Sequence, residues 1–544
     1  MWRYISACLL LLLTLSHAAA VSKSTLMRED RGYCNVFDGQ PTAPLTGATI
    51  AAKITALAGA KCTLYLAGSP SQLPGQWIVS SPLVIPDTIT LFIPDGTTIT
   101  GTGNITIARL LSSTRTGWYI GTGVVTITTY LYGATNYFPM IPVIGATCDG
   151  TGDQSGPINA AIALIPANGG TVLLPSGTCR ITNSLTTLPT KGILLGQGRQ
   201  NTKISIETAA ATAITLGGNY AAVRNFTLTG VGRTSGIGIL TLNTGEFYEI
   251  EGVFIDRQGV GIKNGGAGTE IRNLIIDHCV SHGIYLDGDA RAQDEVRIIN
   301  VQSNVNGGDG LRMLGGPANA SGAGVRIDKF TSVSNTGIGL NSIAGVSGWS
   351  IGAVWVTDPE LSTNSKNLVV GLGLNNLFWT LQGGLYEAAG AENIILNGSN
   401  HTIRGAIIDA GGRVTPASGH GISIIAAEVV IANNVIISNA GAGLIFSANS
   451  TDIVVSNNII RNNGKGIEFI AGAAIITIVG GRLTLNGTAV VGTIPADINI
   501  IGVAGIANRL VDLQTTGAAG GKAVVCADAN GQLYKSSTGT DCSN

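Results

Sequence analysis

A histidine, a carboxylate, an arginine and a tyrosine stand out in a chain in which only 12% of residues are charged and 5% aromatic. His282-Gly283 and Asp309-Gly310 each precede a short strand-like run, Ile284-Tyr285-Leu286 and Leu311-Arg312-Met313, and the two glycines are 27 residues apart. If such runs stack as neighbouring strands about 4.8 Å apart, His282 stands beside Asp309 and Tyr285 beside Arg312. That is equipment for acid–base chemistry on an anionic substrate: groups that move a proton and a cation that holds negative charge. Aligning on the glycine before each run extends the first column to Gln258 and Thr336 and the second to Gly261 and Gly339. The runs one strand earlier stack Asp256, Asp277 and Asn304 in one column, and Glu251, Arg272, Ile299 and Asp328 in another. Asp256 and Asp277 would be a carboxylate pair, in which one acid can give a proton while the other stays ionised. The candidate catalytic residues are therefore Asp277, His282, Asp309 and Arg312, with Asp256, Tyr285 and Asp287 as binding residues. The same side chains have plain structural uses, since Asp and Asn cap turns and Arg/Glu columns form surface ladders.

Weaker candidates follow. His420-Gly421 repeats the His-Gly step, with Asp409 and His401 in the preceding repeat, and Glu387 lies near Trp379 and Tyr386. No zinc-type ligand spacing, phosphate-binding glycine loop or nucleophile elbow is present, so no metal site is expected.

The elements that must position these residues are short and repetitive. Glycine supplies 77 of 544 residues, about twice its ordinary share of roughly 7%, and Val, Ile, Asn, Thr and Ser fill much of the rest. From about residue 191 to 505 strand-like runs recur, including Glu270–Ile276, Val296–Val301, Val325–Phe330, Val429–Ile437 and Ile453–Ile460, with Asn434 and Asn458 24 residues apart. A fixed period of this size is the mark of a solenoid with one coil per repeat. Alternation turns Ile284 and Leu286 inward and Tyr285 outward, and Asn, Gly and Asp at the corners accept left-handed backbone angles. The expected fold is all-β, a right-handed single-stranded parallel β-helix of about thirteen coils with an N-terminal helix as its cap. The helical spacing of Pro157–Ile165 provides that helix, and Thr49–Leu57 begins a similar helix-then-strands unit upstream.

The ends set the address. Residues 1–20 read as a secretory signal peptide: Arg3, an apolar stretch from Ile5 to Leu15, and Ala18-Ala19-Ala20. The mature protein is then secreted or at the cell surface, with no membrane span, where disulfides form. Cysteine spacing suggests Cys34–Cys62, Cys148–Cys179 and Cys526–Cys542, leaving Cys279 as a buried thiol. A formal charge of −1 argues against a nucleic-acid partner. The domains are read as a signal at 1–20, an N-terminal β unit or cap at 21–140, the β-helix at 141–505 and a C-terminal cap at 506–544, where Asn530-Gly531 marks a hairpin.

Residues 145–198 carry a family resemblance. Gly145-Ala146-Thr147-Cys148-Asp149-Gly150, with Asp153, Ile158, Ala161-Ile162, Gly169-Gly170-Thr171-Val172 and Pro175-Ser176-Gly177, resemble the opening of the pectate lyase superfamily, in its rhamnogalacturonase/epimerase-like branch, also found in phage tailspikes. Cys148 and Cys179 replace that opening's usual Gly or Asn and Tyr. The resemblance implies a helix-capped right-handed β-helix and activity on an extracellular polysaccharide, without carrying catalytic residues. A glycosidase needs carboxylates roughly 5–5.5 Å or 6.5–9.5 Å apart; a lyase or epimerase needs a Tyr, His, Arg or Lys base and a neutralising cation, with Ca2+ one way to supply it. No other cofactor is implied. Glu387 with Trp379 and Tyr386 offers either a sugar-stacking spot or aromatic stacking between coils. The expectation is a secreted lyase or glycoside hydrolase acting on acidic glycans such as pectin or other uronans. The alternative is a non-catalytic β-helical adhesin or structural glycan-binding surface protein, which the scarcity of aromatics favours.

Overall fold

The structure is a computed structural model. It describes residues 145–504 apart from 168, 231, 233, 291–292, 317–323, 346–351, 372–377 and 495–496, together with parts of 33–143 and 510–535. The candidate signal peptide, Cys542 and the side chains of Cys34, Cys62 and Cys526 lie outside the described residues. The chain divides into two compact units, 1–145 and 146–544.

The first unit holds helix α1 (Gly47–Ala56) and a five-stranded sheet whose neighbours all run parallel. In the sheet strand Leu83–Ile93, Leu83, Ile85, Leu91 and Ile93 are buried.

The second unit is a parallel β-solenoid of about 14 turns. It opens on helix α2 (Ser155–Ala163), whose Ile158, Ala161 and Ile162 are buried. Asp153 ties the helix start to the first turn. Its carboxylate accepts from the Ser155 N–H at 3.0 Å and hydroxyl at 2.6 Å, and from the Thr182 N–H at 3.0 Å and hydroxyl at 2.8 Å. Burial pushes the Asp153 carboxyl up, but these donors outweigh it and hold the group well below the ordinary range. Cys148 and Cys179 form a disulfide beside it.

The turns that carry the candidate site run through β1 (Phe254–Asp256), β2 (Val260–Asn264), β3 (Glu270–Asp277), β4 (Ile284–Asp287), β5 (Arg297–Asn304), β6 (Leu311–Leu314), β7 (Val325–Val333) and β8 (Ile338–Ile343). Each long strand is bent by one residue in the left-handed region: Asn273 at φ 56° in β3, Asn300 at 52° in β5 and Lys329 at 52° in β7. The bend splits each long strand between two faces, and β2, β4, β6 and β8 form a third. Inward residues such as Ile271, Leu274, Ile276, Ile284 and Leu286 are buried, and Tyr285 points outward, as alternation requires.

The doubled asparagines have a division of labour. Asn433 and Asn457 take left-handed angles of 58° and 55° and turn the corner, so the runs expected at Val429–Ile437 and Ile453–Ile460 are each two strands. Asn434 and Asn458 then point inward, where Asn434 donates from its N–H and its Nδ2 to Asn458 Oδ1 at 2.9 and 3.0 Å. The same ladder runs Asn306–Asn335–Asn364, and Asn306 Oδ1 accepts from the Cys279 N–H at 2.9 Å. Cys279 thus occupies the rung before the asparagines and is buried, as expected for a structural thiol. Near the C-terminus Val525–Ala527 and Leu533–Lys535 pair antiparallel on either side of Asn530-Gly531. Among the described residues no helix is long and apolar enough to cross a membrane.

Candidate functional site

The strand registers bring His282, Asp309, Tyr285 and Arg312 together. Tyr285 stands opposite Arg312, and the Asp309 N–H donates to His282 Nδ1 at 2.9 Å. Two columns differ from the sequence alignment by two residues. Lys263 stands opposite Tyr285 and Asn341 opposite Arg312, displacing Gly261 and Gly339; Gln258 and Thr336 give way to Val260 and Ile338. Coils carrying Gly-Val-Gly or Gly-Ile-Gly offer two glycines to align on, and the one in register with Gly283 and Gly310 is the second. At Gly283 a Cβ would lie 1.9 Å from Ser303 Oγ, so this step admits only glycine.

The hydrogen bonds define protonation states. A backbone N–H can only donate, so His282 Nδ1 is an acceptor and the neutral ring carries its hydrogen on Nε2. Burial pushes the His282 pKa down and Arg312 adds to that, against the pull of Asp309. Asp309 Oδ2 lies 3.6 Å from Nδ1, too far and without a hydrogen to share. Asp309 is instead engaged from the next turn: Oδ1 accepts from the Ile338 N–H at 2.8 Å and Oδ2 from Asn341 Nδ2 at 2.9 Å. Arg312 Nη1 sits 3.3 Å from His282 Nε2. Both groups are donors, so neither satisfies the other; Arg312 Nη1 also lies 3.9 Å from Asp309 Oδ2, and an anionic oxygen beside the two nitrogens could take a hydrogen from each. Lys263 adds positive charge on the preceding turn, with Nζ 2.9 Å from Asp287 Oδ2 and 5.4 Å from the centre of the Tyr285 ring. Burial, then Asp287 and Asp289, push the Tyr285 phenol up and keep it protonated.

The carboxylate pair lies on the neighbouring face. Asp256 stands opposite Asp277, and Asp277 opposite Asn304, as the sequence columns place them. Burial raises the Asp277 pKa; His278 opposes this and the Asp256 charge adds to it. Asp256 is held ready as an acceptor by Thr229 Oγ1 at 3.3 Å, with His278 Nδ1 at 3.5 Å and Arg257 Nε at 3.7 Å. Among the described residues no hydrogen bond or ion pair links this pair to the His282 group. Asp277 and His282 are five residues apart around one corner, a span of at most about 17 Å.

A family model for a right-handed β-helix region matches residues 374–500. The chain is a right-handed parallel β-helix. Among solved structures it is similar to the A-module of mannuronan C-5 epimerase AlgE6 from Azotobacter vinelandii, at 18% identity over 66% of this chain and 97% of that one, with a TM-score of 0.46. It is also similar to the catalytic unit of a GH87 alpha-1,3-glucanase from Streptomyces thermodiastaticus, at 15% identity over 69% of each chain and a TM-score of 0.43. Bacteriophage CBA120 tailspike protein 3 matches at 14% identity over 75% of this chain and 71% of that one, TM-score 0.44. No curated protein sequence matches the chain.

Further along the β-helix the same edge is polar again. His420 Nδ1 accepts from the Ala442 N–H at 3.0 Å, repeating the His282 geometry. Burial lowers its pKa, against pulls from Glu468 and Glu392. Lys366 Nζ lies 3.1 Å from Glu392 Oε2 and Lys465 Nζ 2.6 Å from Glu468 Oε1. These four residues went unread in the sequence because their coils carry no aligned histidine. Of the other weak candidates Asp409 and Glu387 are half-buried, while His401 is core: it is buried, its Nε2 2.8 Å from the Asn397 carbonyl, and burial pushes its pKa down to about 4. Trp379 and Tyr386 are fully buried, so they offer no sugar platform.

Proposed function

We propose that the protein is a secreted polysaccharide-active enzyme that binds an acidic glycan at the His282–Arg312 edge of its β-helix and hydrolyses it with Asp277 and Asp256. The carrying observation is the pair of donors, His282 Nε2–H and Arg312 Nη1, 3.3 Å apart, which a single anionic oxygen beside them would satisfy. A uronate carboxylate supplies the two oxygens such a pair takes, with Lys263 and the Tyr285 phenol beside it. Secretion is supported by the N-terminal Ile5–Leu15 and Ala18–Ala20 pattern and by the Cys148–Cys179 disulfide. The resemblance of residues 145–198 to the pectate lyase superfamily supports a polysaccharide as the partner.

The protonation states favour hydrolysis over elimination. Elimination needs a base at the sugar ring; His282 has its lone pair committed to the Asp309 N–H, Tyr285 stays a phenol, and in this reading Arg312 and Lys263 act as the cations that hold the uronate. Asp277, with its raised pKa, can protonate the glycosidic oxygen. Asp256 is one strand away, about 4.8 Å along the stack. That is near the roughly 5–5.5 Å of retaining glycosidases, so Asp256 attacks the anomeric carbon as the C–O bond breaks. Water then releases the sugar from Asp256, with Asp277 taking its proton. Asp309 and Asn341 are positioning residues that hold the turn carrying Arg312. The hydrolytic reading uses no Ca2+; a lyase reading would call on one to neutralise the uronate.

Incubation with polygalacturonate, alginate and other uronans tests this, reading both reducing ends and absorbance of unsaturated products. New reducing ends without unsaturation support it; unsaturated products overturn hydrolysis in favour of elimination. Binding without turnover supports the non-catalytic glycan-binding reading, which the commitment of both His282 Nδ1 and Asp309 to backbone and amide donors favours.

A further inference from the structure

A different face of the β-helix carries a second, independent feature. β9 (Val354–Thr357) buries Val354 and Val356 and turns Trp355 outward, where it is 40% exposed. Trp77 and Trp379 are both 0% exposed. An exposed indole on a face otherwise built largely of threonine, serine and charged residues calls for a reason, because burying an aromatic of this size is among the larger stabilising terms available to a fold. Its surroundings supply one. Arg326 stands opposite it on the preceding turn, with the guanidinium carbon 5.6 Å from the indole centre, and Asp328 stands opposite Thr357. Between the two columns lies an open cavity of about 270 Å³ lined by Arg326, Ile327, Asp328, Trp355 and Thr357.

The side chains around this cavity are open. Among the described residues neither the Arg326 guanidinium nor the Asp328 carboxylate has a hydrogen-bond or ion-pair partner; the indole is what Arg326 touches. The cavity therefore presents an apolar ring, a donor fork and an acceptor pair around one space. It falls below the roughly 300–1,000 Å³ of pockets for drug-sized ligands, which suits one ring and not a nucleotide or a peptide segment. A ligand with an apolar C–H face and a rim of hydroxyls matches all three groups: the face lies against the indole, and vicinal hydroxyls donate to Asp328 and accept from Arg326. Charge selects further. Arg326 and Asp328 line the cavity with one charge of each sign, so the space carries no net charge and suits an uncharged ring.

We propose that the Trp355–Arg326–Asp328 cavity is a binding subsite for a neutral pyranose residue of a glycan, separate from the His282–Arg312 edge. It stands whether or not that edge binds uronate. Calorimetric titration of the full-length protein with neutral hexasaccharides (gluco-, manno- and xylo-oligosaccharides) tests it, alongside Trp355→Ala, Trp355→Phe and Asp328→Asn variants whose fold is checked by circular dichroism. The expected result is saturable binding of at least one neutral series, weakened about ten-fold or more by Trp355→Ala, the size of one well-made aromatic contact. Trp355→Phe retains most of the affinity and Asp328→Asn loses part of it. Absence of neutral-glycan binding by the wild type, or undiminished binding by a folded Trp355→Ala, overturns the proposal. Loss of uronate binding in an Arg312 variant bears on the other site alone.

Discussion

The N–H of Asp309 donates to Nδ1 of His282 on the adjacent turn of the β-helix at 2.9 Å. One backbone hydrogen fixes the tautomer of the ring, removes it as a general base and turns its other nitrogen into a donor aimed beside Arg312. A histidine–carboxylate pair that looks like a proton relay in the sequence is, in the function proposed above, half of an anion clamp.

Stability should fall in acid through the buried histidines. His282, His401 and His420 have pKa values below the ordinary 6.5, so the unfolded chain binds their protons first as pH drops. Their contribution is complete above about pH 6.5 and is lost as pH falls through the folded values. For His401, with a value of about 4, the loss between pH 7 and pH 4 is about 3 kcal/mol. Melting temperature measured from pH 7.5 to 4 should decline across this window, and His401→Gln should flatten the decline.

The asparagine ladder should be costly to interrupt. Asn335 is buried, accepts from Asn306, and donates to the Ser303 carbonyl, Ser332 Oγ and Asn364 Oδ1. Asn335→Ala leaves several of these groups without a partner, at roughly 1–3 kcal/mol each. Urea unfolding should show a loss of about 3 kcal/mol or more.

The Cys148–Cys179 bridge closes a loop with a sequence separation of 31. Replacing both cysteines by alanine should cost about 2–4 kcal/mol. Thiol titration of the denatured, unreduced wild type should find both unreactive, and the double variant should melt at a lower temperature.

Asp277 should control the alkaline limb of the reaction. A general acid works only while protonated, so kcat/KM on a uronan substrate should fall as pH rises above the raised pKa of Asp277. Asp277→Asn should lose that limb and lower kcat by about 10²–10⁴-fold. A pH–rate profile of both proteins checks this.

How much could be read from the chain differs between its parts. The fold was legible because a solenoid writes its period directly: Asn433-Asn434 and Asn457-Asn458 mark equivalent corners, and Val, Ile and Leu fill the inward positions between. The pairing of Asp256 with Asp277, and of Tyr285 with Arg312, followed from that period alone. Lys263 and Asn341 did not, because Gly259 and Gly261, or Gly337 and Gly339, serve equally well as markers until the packing against the next coil chooses the second of each pair. Strand parity decides the tryptophans: Val354 stands opposite Trp379 and Trp355 opposite Thr380, so one indole points in and the other out. Val354-Trp355-Val356 shows this alternation in the sequence itself. The tautomer of His282 has no sequence signal at all, since a backbone N–H on another turn sets it.

The most direct test of the anion clamp is calorimetric titration of a uronate hexasaccharide into the wild type and an Arg312→Ala variant at constant ionic strength. Binding by the wild type, at least ten-fold weaker in Arg312→Ala and unmatched by the same oligosaccharide with its carboxyls reduced to alcohols, is the predicted result. Equal affinity of the two proteins for uronate, or equal affinity of the wild type for the carboxylate and alcohol forms, would contradict it.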